Sequence, residues 1–230
     1  MTPLSVILSY FPSLVLGLAS CNLVALLIHF RIYYLFGLVF SLYGLPLLVY
    51  HLHQRFYTLQ SGISYLGSGY SPWWGSHQIQ VIYIALPALE SWMRLLPGLF
   101  SLWLRLWGAK IGRQVYWTPG LEIADRGLLE VGDRVVFGHR VGLYAHVIKP
   151  VIKPVIKPAA KPQGEDLLLY LKPITIGEAA FVGAGSQLAP GAVIQAGVYL
   201  PAASQVYPNQ TIHPNPNRRA EPVEEATCAG

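Results

Sequence analysis

The stretch Ile176-Gly-Glu-Ala-Ala-Phe-Val182-Gly-Ala-Gly-Ser-Gln-Leu188-Ala-Pro-Gly-Ala-Val-Ile194-Gln-Ala-Gly-Val-Tyr-Leu200-Pro-Ala-Ala-Ser-Gln-Val206 places an aliphatic residue at every sixth position. In most of these hexads a small residue follows four places later. A six-residue period suits a coil of short parallel strands on three faces, because one branched side chain per face then points inward. An α-helix repeats about every 3.6 residues and an isolated strand alternates its faces, so neither explains the pattern. The sequence therefore predicts a mainly β fold, a three-sided coil of parallel strands.

The same register occurs earlier in the chain. It is present in Ile111-Gly-Arg-Gln-Val115 and in Val131-Gly-Asp-Arg-Val-Val-Phe-Gly-His-Arg-Val141. Between Trp117 and Val131 the register slips by two residues, which predicts one irregular coil around residues 122–129. Residues 147–173 follow no six-residue rule, so we expect a protruding loop between the two blocks of repeats.

The composition is too apolar for an ordinary soluble domain of this length. Of the 230 residues, 53% are hydrophobic and only 12% are charged, and the mean hydropathy is +0.42. The excess lies at the front of the chain: no carboxylate precedes Glu90, and Arg31 is the only full charge between Met1 and His53. Part of the chain is therefore predicted to lie in lipid.

Two apolar segments flank Arg31. Residues 3–30 and 32–50 are each long enough to cross about 30 Å of hydrocarbon at roughly 1.5 Å per residue. Arg31 leaves almost no loop between them, so residues 1–53 are predicted to form a tight transmembrane helical hairpin. We expect His29, Arg31 and the pair Tyr33-Tyr34 at one membrane interface.

A lipoprotein signal peptide is the competing interpretation of the first segment, because Leu18-Ala-Ser-Cys21 resembles a cleavage box. Its n-region has no Lys or Arg, and the residues after Cys21 stay hydrophobic, which favours the helical span. The second cysteine, Cys228, lies in the tail, so no disulfide framework is predicted. A reducing compartment is therefore expected for the C-terminal domain.

The distribution of positive charge predicts the orientation. Arg55 follows the second segment and the basic remainder of the chain comes after it, whereas Arg31 stands alone on the other side. The prediction is a multi-pass membrane protein with both termini and the C-terminal coil in the cytoplasm. The net charge of +5 also suits a domain held against an anionic leaflet, although positive-inside topology alone explains the sign equally well.

Residues 54–107 connect the hairpin to the repeats. The segment 61–76 is rich in Gly, Ser, Tyr and Trp and is predicted to be a loop. The apolar region 79–107 carries Glu90, Arg94 and two prolines, so we expect short amphipathic helices that lie in the membrane interface. A third membrane crossing is the alternative for this region.

Among the seven histidines, one is placed to do chemistry. His146 ends Leu143-Tyr-Ala-His146, the last strand before the protruding segment, so its imidazole is expected at the mouth of a groove between coil and loop. His139 occupies an outward-facing position of its hexad and is interpreted as structural. His77 is predicted to lie in a loop.

A family resemblance follows from the order of several motifs. These are Leu143-Tyr-Ala-His146, Lys172-Pro-Ile-Thr-Ile-Gly177, Phe181-Val-Gly-Ala-Gly-Ser186, Ala189-Pro-Gly-Ala-Val-Ile194 and Pro214-Asn-Pro-Asn217. Together they resemble the C-terminal half of the hexapeptide-repeat acyltransferases of the maltose and serine acetyltransferase type, over roughly residues 111–218. With membrane helices ahead of Leu104-Arg-Leu-Trp-Gly-Ala-Lys-Ile-Gly112, the chain is also similar in architecture to the membrane-associated terminal domains of some nonribosomal peptide synthetases.

This resemblance implies a left-handed parallel β-helix of about four coils over residues 108–218, an exception to the right-handed crossover rule. It implies a homotrimer with active sites between subunits and an acyl-thioester co-substrate, either acyl-CoA or an acyl-carrier protein, with no bound cofactor, no metal and no nucleic-acid partner. His146 matches the catalytic histidine of the family. An unperturbed imidazole, with a pKa of about 6.5, can take the proton of an acceptor hydroxyl or amine as that group attacks the thioester.

The acyl-donor site is predicted from two sets of residues. Gly183, Ala184, Gly185 and Ser186 form a small, flexible turn that can offer backbone N–H groups to an oxyanion or let pantetheine lie close. The same glycines also serve simply to turn the coil. Lys172 and Arg218 are candidates for contacts with the phosphates of the donor.

The chain departs from the family pattern in two places. The coil is short, and Gln195 and Pro201 replace the preferred small residue of their hexads. The predicted loop contains Val-Ile-Lys-Pro three times, through Pro158, which forbids helix and favours an extended polyproline-like chain with evenly spaced lysines. It is either a cationic arm or a loop that was lengthened by slippage. Residues 219–230 are predicted to be a disordered tail.

Three functions remain open from the sequence. The first is a membrane-bound acyltransferase that acts on a hydroxyl or amine of a membrane-associated acceptor. The second is a γ-class carbonic anhydrase, which uses the same fold and needs three zinc-binding histidines, of which the repeats offer only His139 and His146. The third is a non-catalytic trimeric scaffold in a membrane assembly. The acceptor and the acyl-chain length are not written in the sequence.

Overall fold

The computed structural model describes residues 2–66, 69–150 and 167–215, and it begins with two long helices that pack side by side. The first bends near Tyr10, and the second contains a π-helical turn. Phe30, in the left-handed conformation, and the extended Arg31 form the whole connection between them. The helical hairpin predicted from the sequence is therefore present, and its crossing of a membrane stays a prediction. Its segments are α1 (Pro3–Ser9), α2 (Phe11–His29), α3 (Ile32–Val39), the π-helical turn (Phe40–Gly44) and α4 (Leu45–Phe56).

A group of shorter helices lies between the hairpin and the coil. Ser71 caps the first of them by accepting a hydrogen bond from the backbone of Trp74, and Pro72 occupies its first turn. Ile79, Ile82 and Tyr83 of this helix are buried in one core with the coil. The segments are α5 (Pro72–Ala85), α6 (Ala88–Ser91), a 3-10 turn (Trp92–Leu95) and α7 (Leu99–Leu106).

The prediction of a loop over residues 61–76 is wrong at both ends of the segment. The strand β1 (Gly62–Leu66) occupies its first part, and α5 begins at Pro72. The reason is that Ser71 and Pro72 act as a helix start, whereas the sequence interpretation treated every Gly, Ser and Pro of this segment as a loop signal.

The coil consists of three sheets of parallel strands. Ile176 pairs with Ile194 and Val182 pairs with Leu200, three hexads further along the chain in each case. The predicted coil of parallel strands is therefore confirmed, and its handedness stays a prediction.

The strands of the coil are mostly two residues long. Their bounds are β2 (Lys110–Ile111), β3 (Tyr116–Trp117), β4 (Glu122–Ile123), β5 (Leu129–Val131), β6 (Val136–Phe137), β7 (Gly142–Leu143), β10 (Ile174–Ile176), β11 (Phe181–Val182), β12 (Gln187–Leu188), β13 (Val193–Ile194), β14 (Tyr199–Leu200), β15 (Gln205–Val206) and β16 (Thr211–Ile212). The sheet orders are β16-β13-β10-β5-β2, β14-β11-β6-β3 and β15-β12-β7-β4.

Stacked side chains fill the interior of the coil. Ile111, Val131, Ile176 and Ile194 line one face, one above the other, and all four are buried. Full burial of one such side chain contributes about 1.5–3 kcal/mol. On the second face Trp117 takes the place of an aliphatic residue, and its ring stacks on Phe137 at 4.6 Å between centroids.

The irregular coil lies where the sequence predicts it. From Ile123 to Val131 the chain is two residues longer than the equivalent passage from Leu188 to Ile194. A 3-10 turn at Arg126–Leu128 takes up the excess. The extra length moves Asp125 and Arg126 out of the coil register and into the interior, where they are 3% and 1% exposed.

The insertion between the two blocks of repeats begins and ends as a β-hairpin. β8 (His146–Pro150) pairs antiparallel with β9 (Leu167–Leu171), and β1 adds a third antiparallel strand on the far side of β9. The predicted loop over residues 147–173 is therefore corrected at its base, which is sheet. The repeated Val-Ile-Lys-Pro tip beyond Pro150, Arg218 and the tail 219–230 lie outside the described residues.

Candidate active site

The site is built around a buried carboxylate. His146 Nδ1 lies 2.6 Å from Asp125 Oδ2, and Trp73 Nε1 donates to Asp125 Oδ1 at 3.0 Å. Asp125 is almost completely buried, so its carboxylate is not hydrated. The two hydrogen bonds take the place of hydrogen bonds from water. The irregular coil supplies the carboxylate, β8 supplies the imidazole, and α5 supplies the indole.

The carboxylate determines the tautomer of the imidazole. An ionised carboxylate only accepts hydrogen bonds, so we assign the ring proton of His146 to Nδ1, which donates it to Asp125. In the neutral ring, Nε2 is then left with its lone pair. This is the arrangement that a histidine needs in order to act as a base through Nε2.

The first turns of α5 form one wall of the site. The Trp73 ring lies 4.5 Å from the His146 ring between centroids, and His77 stacks on Trp73 at 5.0 Å. Residues four apart share one face of a helix, which is why Trp73 and His77 both reach the site. The prediction that His77 lies in a loop is wrong, because the capped start of α5 brings it 5.5 Å from the His146 ring.

Burial lowers the pKa of His77, Asp125 opposes this effect, and His146 and Arg126 add to it. A histidine whose folded-state pKa lies below the usual 6.5 binds fewer protons than it does in the unfolded chain. Its contribution to stability is therefore complete above pH about 6.5 and is lost as the pH falls below that value.

We accordingly expect His77→Gln to flatten the acid side of the stability profile. Between pH about 6.5 and pH 5, the wild-type free energy of unfolding should fall more steeply than that of the variant. Denaturant titrations of the detergent-solubilised chains at several pH values measure this difference. Parallel curves for the two proteins would show that His77 is not buried in its neutral form.

A buried ion pair anchors the irregular coil from behind the site. Arg126 Nε and Nη2 donate to the two Glu90 oxygens at 2.6 and 2.8 Å, and Trp103 Nε1 donates to Glu90 Oε1 at 2.6 Å. The guanidinium also lies 5.1 Å over the Tyr83 ring, and Gln80 Oε1 accepts the Arg126 backbone N–H at 2.9 Å. Because Asp125 and Arg126 are adjacent, this pair also holds the site carboxylate in position.

Amphipathic helices over residues 79–107, as the sequence predicts, would carry Glu90 on an exposed polar face. That placement is wrong, since Glu90 is 4% exposed and points into the interior between the helices and the coil. The pairing partner lies 36 residues away in the irregular coil. No local pattern marks such a long-range pair.

His146 stands at the edge of an open cleft of about 400 Å³. The histidine side chain is 18% exposed, so a ligand in the cleft can reach it. Tyr144 is part of the wall and donates its hydroxyl proton to Glu122 at 3.0 Å. Burial and Glu122 together raise the pKa of Tyr144 to about 12, so its hydroxyl keeps its proton at neutral pH. The other walls include Leu188, Pro190, Val206 and Tyr207.

The predicted donor-binding turn lies between β11 and β12. Ser186 is fully buried; its Oγ donates to the Pro201 carbonyl at 3.0 Å and accepts the Ser204 N–H at 3.3 Å. A Cβ at Gly183 would collide with the backbone of the next coil. Among the described residues, those lining the His146 cleft do not include Gly183, Ala184, Gly185 or Ser186. Their role in donor binding stays a prediction.

The backbone of Lys172 lies beside the start of β8, the strand that carries His146. Its N–H donates to the Ala145 carbonyl at 3.0 Å, while its Nζ donates to Asn209 Oδ1 at 2.7 Å. Tyr170 donates to the same amide oxygen at 2.7 Å. His139 is exposed at the turn after β6. Within residues 2–66, 69–150 and 167–215, no three His, Cys, Asp or Glu side chains are grouped as a metal site.

Comparisons with known proteins give matches among solved structures alone. No family model matches the chain, and no curated protein does. A hexapeptide-repeat-containing acetyltransferase from Vibrio cholerae is 15% identical, with 56% of this chain and 85% of that chain covered and a TM-score of 0.33. A maltose O-acetyltransferase from Clostridium difficile 630 is 18% identical, with 54% and 77% covered and a TM-score of 0.34. A galactoside acetyltransferase in complex with coenzyme A is 16% identical, with 49% and 64% covered and a TM-score of 0.33. The solved structures to which this chain is similar thus include hexapeptide-repeat acetyltransferases.

Proposed function

We propose that this protein is a membrane-bound acyltransferase that uses His146 as its general base. It moves an acyl group from acyl-CoA or an acyl-carrier protein to a hydroxyl or amine of a membrane-associated acceptor. The observation that carries the proposal is the hydrogen bond from His146 Nδ1 to the buried Asp125 carboxylate, which leaves Nε2 as the basic atom of a side chain that lines an open cleft.

In the proposed reaction, the acceptor O–H or N–H lies against His146 Nε2. As its oxygen or nitrogen attacks the thioester carbonyl, the proton moves to Nε2 and the ring becomes an imidazolium. The Asp125 carboxylate stabilises that positive charge through the Nδ1 hydrogen bond. When the tetrahedral intermediate collapses, the C–S bond breaks, the thiolate leaves, and Nε2 returns the proton to the sulfur. No covalent enzyme intermediate is required.

The remaining parts of the donor site follow from the sequence. In the turn at residues 183–186, the N–H groups of Gly183, Gly185 and Ser186 already donate to backbone carbonyls. We therefore assign this turn to close contact with the pantetheine of the donor. Lys172 and Arg218 are assigned to the phosphates of the donor. Trp73 supports the base indirectly, because its indole N–H fills the second acceptor position of Asp125 and its ring packs against the imidazole.

The membrane location is supported by the surface of the hairpin. The helices over Pro3–His29 and Ile32–Phe56 are long and apolar enough to cross a bilayer, yet only 17% and 11% of their most apolar windows are buried. A core helix of a soluble protein would bury most of that surface. This exposed apolar surface is suited to contact with lipid. The positive charge that follows Arg55 favours a cytoplasmic location for the coil.

A homotrimer is the assembly we propose for the coil. The outer surface of the coil carries the exposed aromatic residue Tyr207, which also lines the His146 cleft. Aromatic residues are enriched at protein interfaces. A neighbouring subunit packed on this side would close the cleft around the acyl donor.

Asp125→Asn is expected to lower the rate of acyl transfer by roughly 10²-fold or more. Asp125 accepts one hydrogen bond on each oxygen, whereas an amide has a single oxygen, so either Trp73 or His146 loses its acceptor. Turnover of acyl-CoA by the full chain in lipid nanodiscs measures the effect. Glu130→Gln, in the exposed pair with Lys110, is the matched control and should be neutral. An unchanged rate in Asp125→Asn would remove the carboxylate from the mechanism.

The acceptor is best sought in cells. Lipid and metabolite extracts from cells that make the wild-type chain or His146→Ala should differ by one species shifted by an acyl mass. Identical extracts, together with no stabilisation of the purified chain by any acyl-CoA or acyl-carrier protein, would contradict the proposal.

A further inference from the structure

A second cavity lies between α7 with its preceding turn and the first coil, and it is lined by residues 94–98, 100, 101, 105 and 112–117. Its volume is about 630 Å³, and it shares no lining residue with the His146 cleft among the residues the structure describes. Its walls carry three arginines, Arg94, Arg105 and Arg113, and no carboxylate is among the described residues that line it. Leu95 and Leu96 form an apolar part of the same wall. The proposed acyl transfer uses none of these residues.

Two of the arginines, Arg94 and Arg105, are held in place by hydrogen bonds to backbone carbonyls. Arg105 Nε and Nη2 donate to the carbonyls of Ile111 and Gly112 at 2.9 and 2.6 Å, which fixes its guanidinium. Arg94 Nη2 donates to the Leu121 carbonyl at 3.0 Å, and its Nε is buried without a hydrogen-bond partner in the described part of the chain. The Arg94 charge is therefore held beside the cavity without a carboxylate among the described lining residues, and an anion in the cavity would balance the charge of its three arginines.

Contacts with the hairpin indicate the depth of this cavity in a bilayer. Tyr43 donates to the Leu89 carbonyl at 2.9 Å, and His51 Nε2 lies 2.7 Å from the Leu106 carbonyl. Measured along the helix from Arg31, Tyr43 and His51 lie about 18 and 30 Å away at 1.5 Å per residue. With Arg31 at the far surface of a hydrocarbon layer about 30 Å thick, Leu106 lies at the near surface and Leu89 lies inside the near leaflet.

The exposed side chains of the helical group agree with that depth. Leu95 is 78% exposed, and Leu86, Leu96, Leu102 and Leu106 are also exposed. Placed in the near leaflet, these side chains face acyl chains, while Arg105, next to Leu106, lies at the level of the headgroups. An apolar rim beside a cationic cavity matches a molecule that has fatty chains and a negatively charged head.

We propose that this cavity binds the phosphate headgroup of an anionic phospholipid of the cytoplasmic leaflet. Arg94, Arg105 and Arg113 contact the phosphate, and Leu95 and Leu96 lie beside the acyl chains. The bound lipid adds to the hairpin contacts that hold the coil at this height above the membrane. The inference rests on the membrane crossing in the proposed function and is independent of acyl transfer.

The test uses the full chain, purified in detergent and depleted of lipid. Native mass spectrometry measures retained lipid during titration with phosphatidylglycerol or phosphatidylcholine. We expect tighter binding of phosphatidylglycerol, and we expect Arg113→Gln to weaken that binding roughly tenfold, the loss of one charge-assisted contact. Arg113 is suited to this test because its side chain is exposed. Arg140→Gln removes the same charge at an exposed turn of the coil and should leave binding unchanged.

Three results would overturn the inference. Equal affinity for the two lipids would show that the cavity does not read the headgroup charge. Equal losses in Arg113→Gln and Arg140→Gln would show that net charge alone is responsible. Displacement of the lipid by free glycerol phosphate at the same concentration would identify a soluble anion as the ligand. A chain that binds the lipid but never transfers an acyl group would contradict the proposed function and leave this inference standing.

Discussion

Replacing His146 with Ala is expected to lower acyl transfer by about 10²- to 10⁴-fold, the usual contribution of a general base. The substitution removes the basic Nε2 atom, so the acceptor must lose its proton to water. The turnover rate should fall more than the affinity for the donor. Only a small part of the His146 ring is exposed in the cleft, so the ring contributes little contact area to donor binding. Release of thiol from acyl-CoA by the full chain in nanodiscs measures the rate.

His139→Ala is the matched control for this experiment. His139 belongs to the same repeats and is exposed at the turn after β6, so its removal should leave the rate within about twofold. Far-UV circular dichroism should show the same secondary structure for both variants. A His146→Ala chain that folds and retains the wild-type rate would exclude the imidazole as the base.

Replacing Arg126 with Leu is expected to destabilise the fold by about 3–5 kcal/mol, because it leaves the buried Glu90 carboxylate without its cation. Glu90 would keep the Trp103 donor and would lose both guanidinium hydrogen bonds. The loss should also reach the active site, because Arg126 follows Asp125 directly in the irregular coil. Denaturant unfolding of the detergent-solubilised chain measures the free energy.

Two further variants separate the buried charge from general effects. The double replacement Glu90→Gln with Arg126→Met removes both charges and should recover much of the loss, since no unpaired charge remains. Lys110→Ala breaks the exposed pair with Glu130 and should cost about 0–1 kcal/mol. If Arg126→Leu costs no more than Lys110→Ala, the Glu90–Arg126 pair does not hold the irregular coil.

The coil could be predicted from the sequence because each hexad repeats the same local requirement for an inward-facing side chain. An aliphatic residue must point inward on every face, so the pattern survives in single residues such as Ile176 and Val182. The same rule located the irregular coil and the insertion before Lys172, since both are places where the period fails. The sequence placed His146 at the end of a strand before the insertion, whereas in the structure it is the first residue of β8. Its role as the base stays a prediction.

The residues that contact the His146 ring could not be predicted from the sequence. Asp125 lies 21 residues before His146, and Trp73 lies 52 residues before Asp125, so the site joins three segments that are separate in sequence. One signal was available: the two-residue slip in the hexads contains Asp125 and Arg126, which are adjacent charged residues in a stretch that folds inward. A break in a repeat that carries buried charge is a reasonable place to look for a site.

The base of the insertion was missed for a related reason. β9 pairs with β1, which precedes it by about a hundred residues, and with β8 across the repeated Val-Ile-Lys-Pro segment. Strand pairing over such distances leaves no periodicity in either segment alone. α5 was missed for a local reason, because Ser71 and Pro72, which start the helix, were interpreted as loop signals.

The most direct test of the central claim follows a labelled acyl group. The full chain in nanodiscs that contain a membrane lipid extract is incubated with acyl-CoA labelled in the acyl chain, and the products are separated by mass. The account predicts one labelled product with the wild-type chain and almost none with His146→Ala. Equal labelling by the two chains, or none by the wild type with either acyl-CoA or acyl-carrier protein, would contradict it.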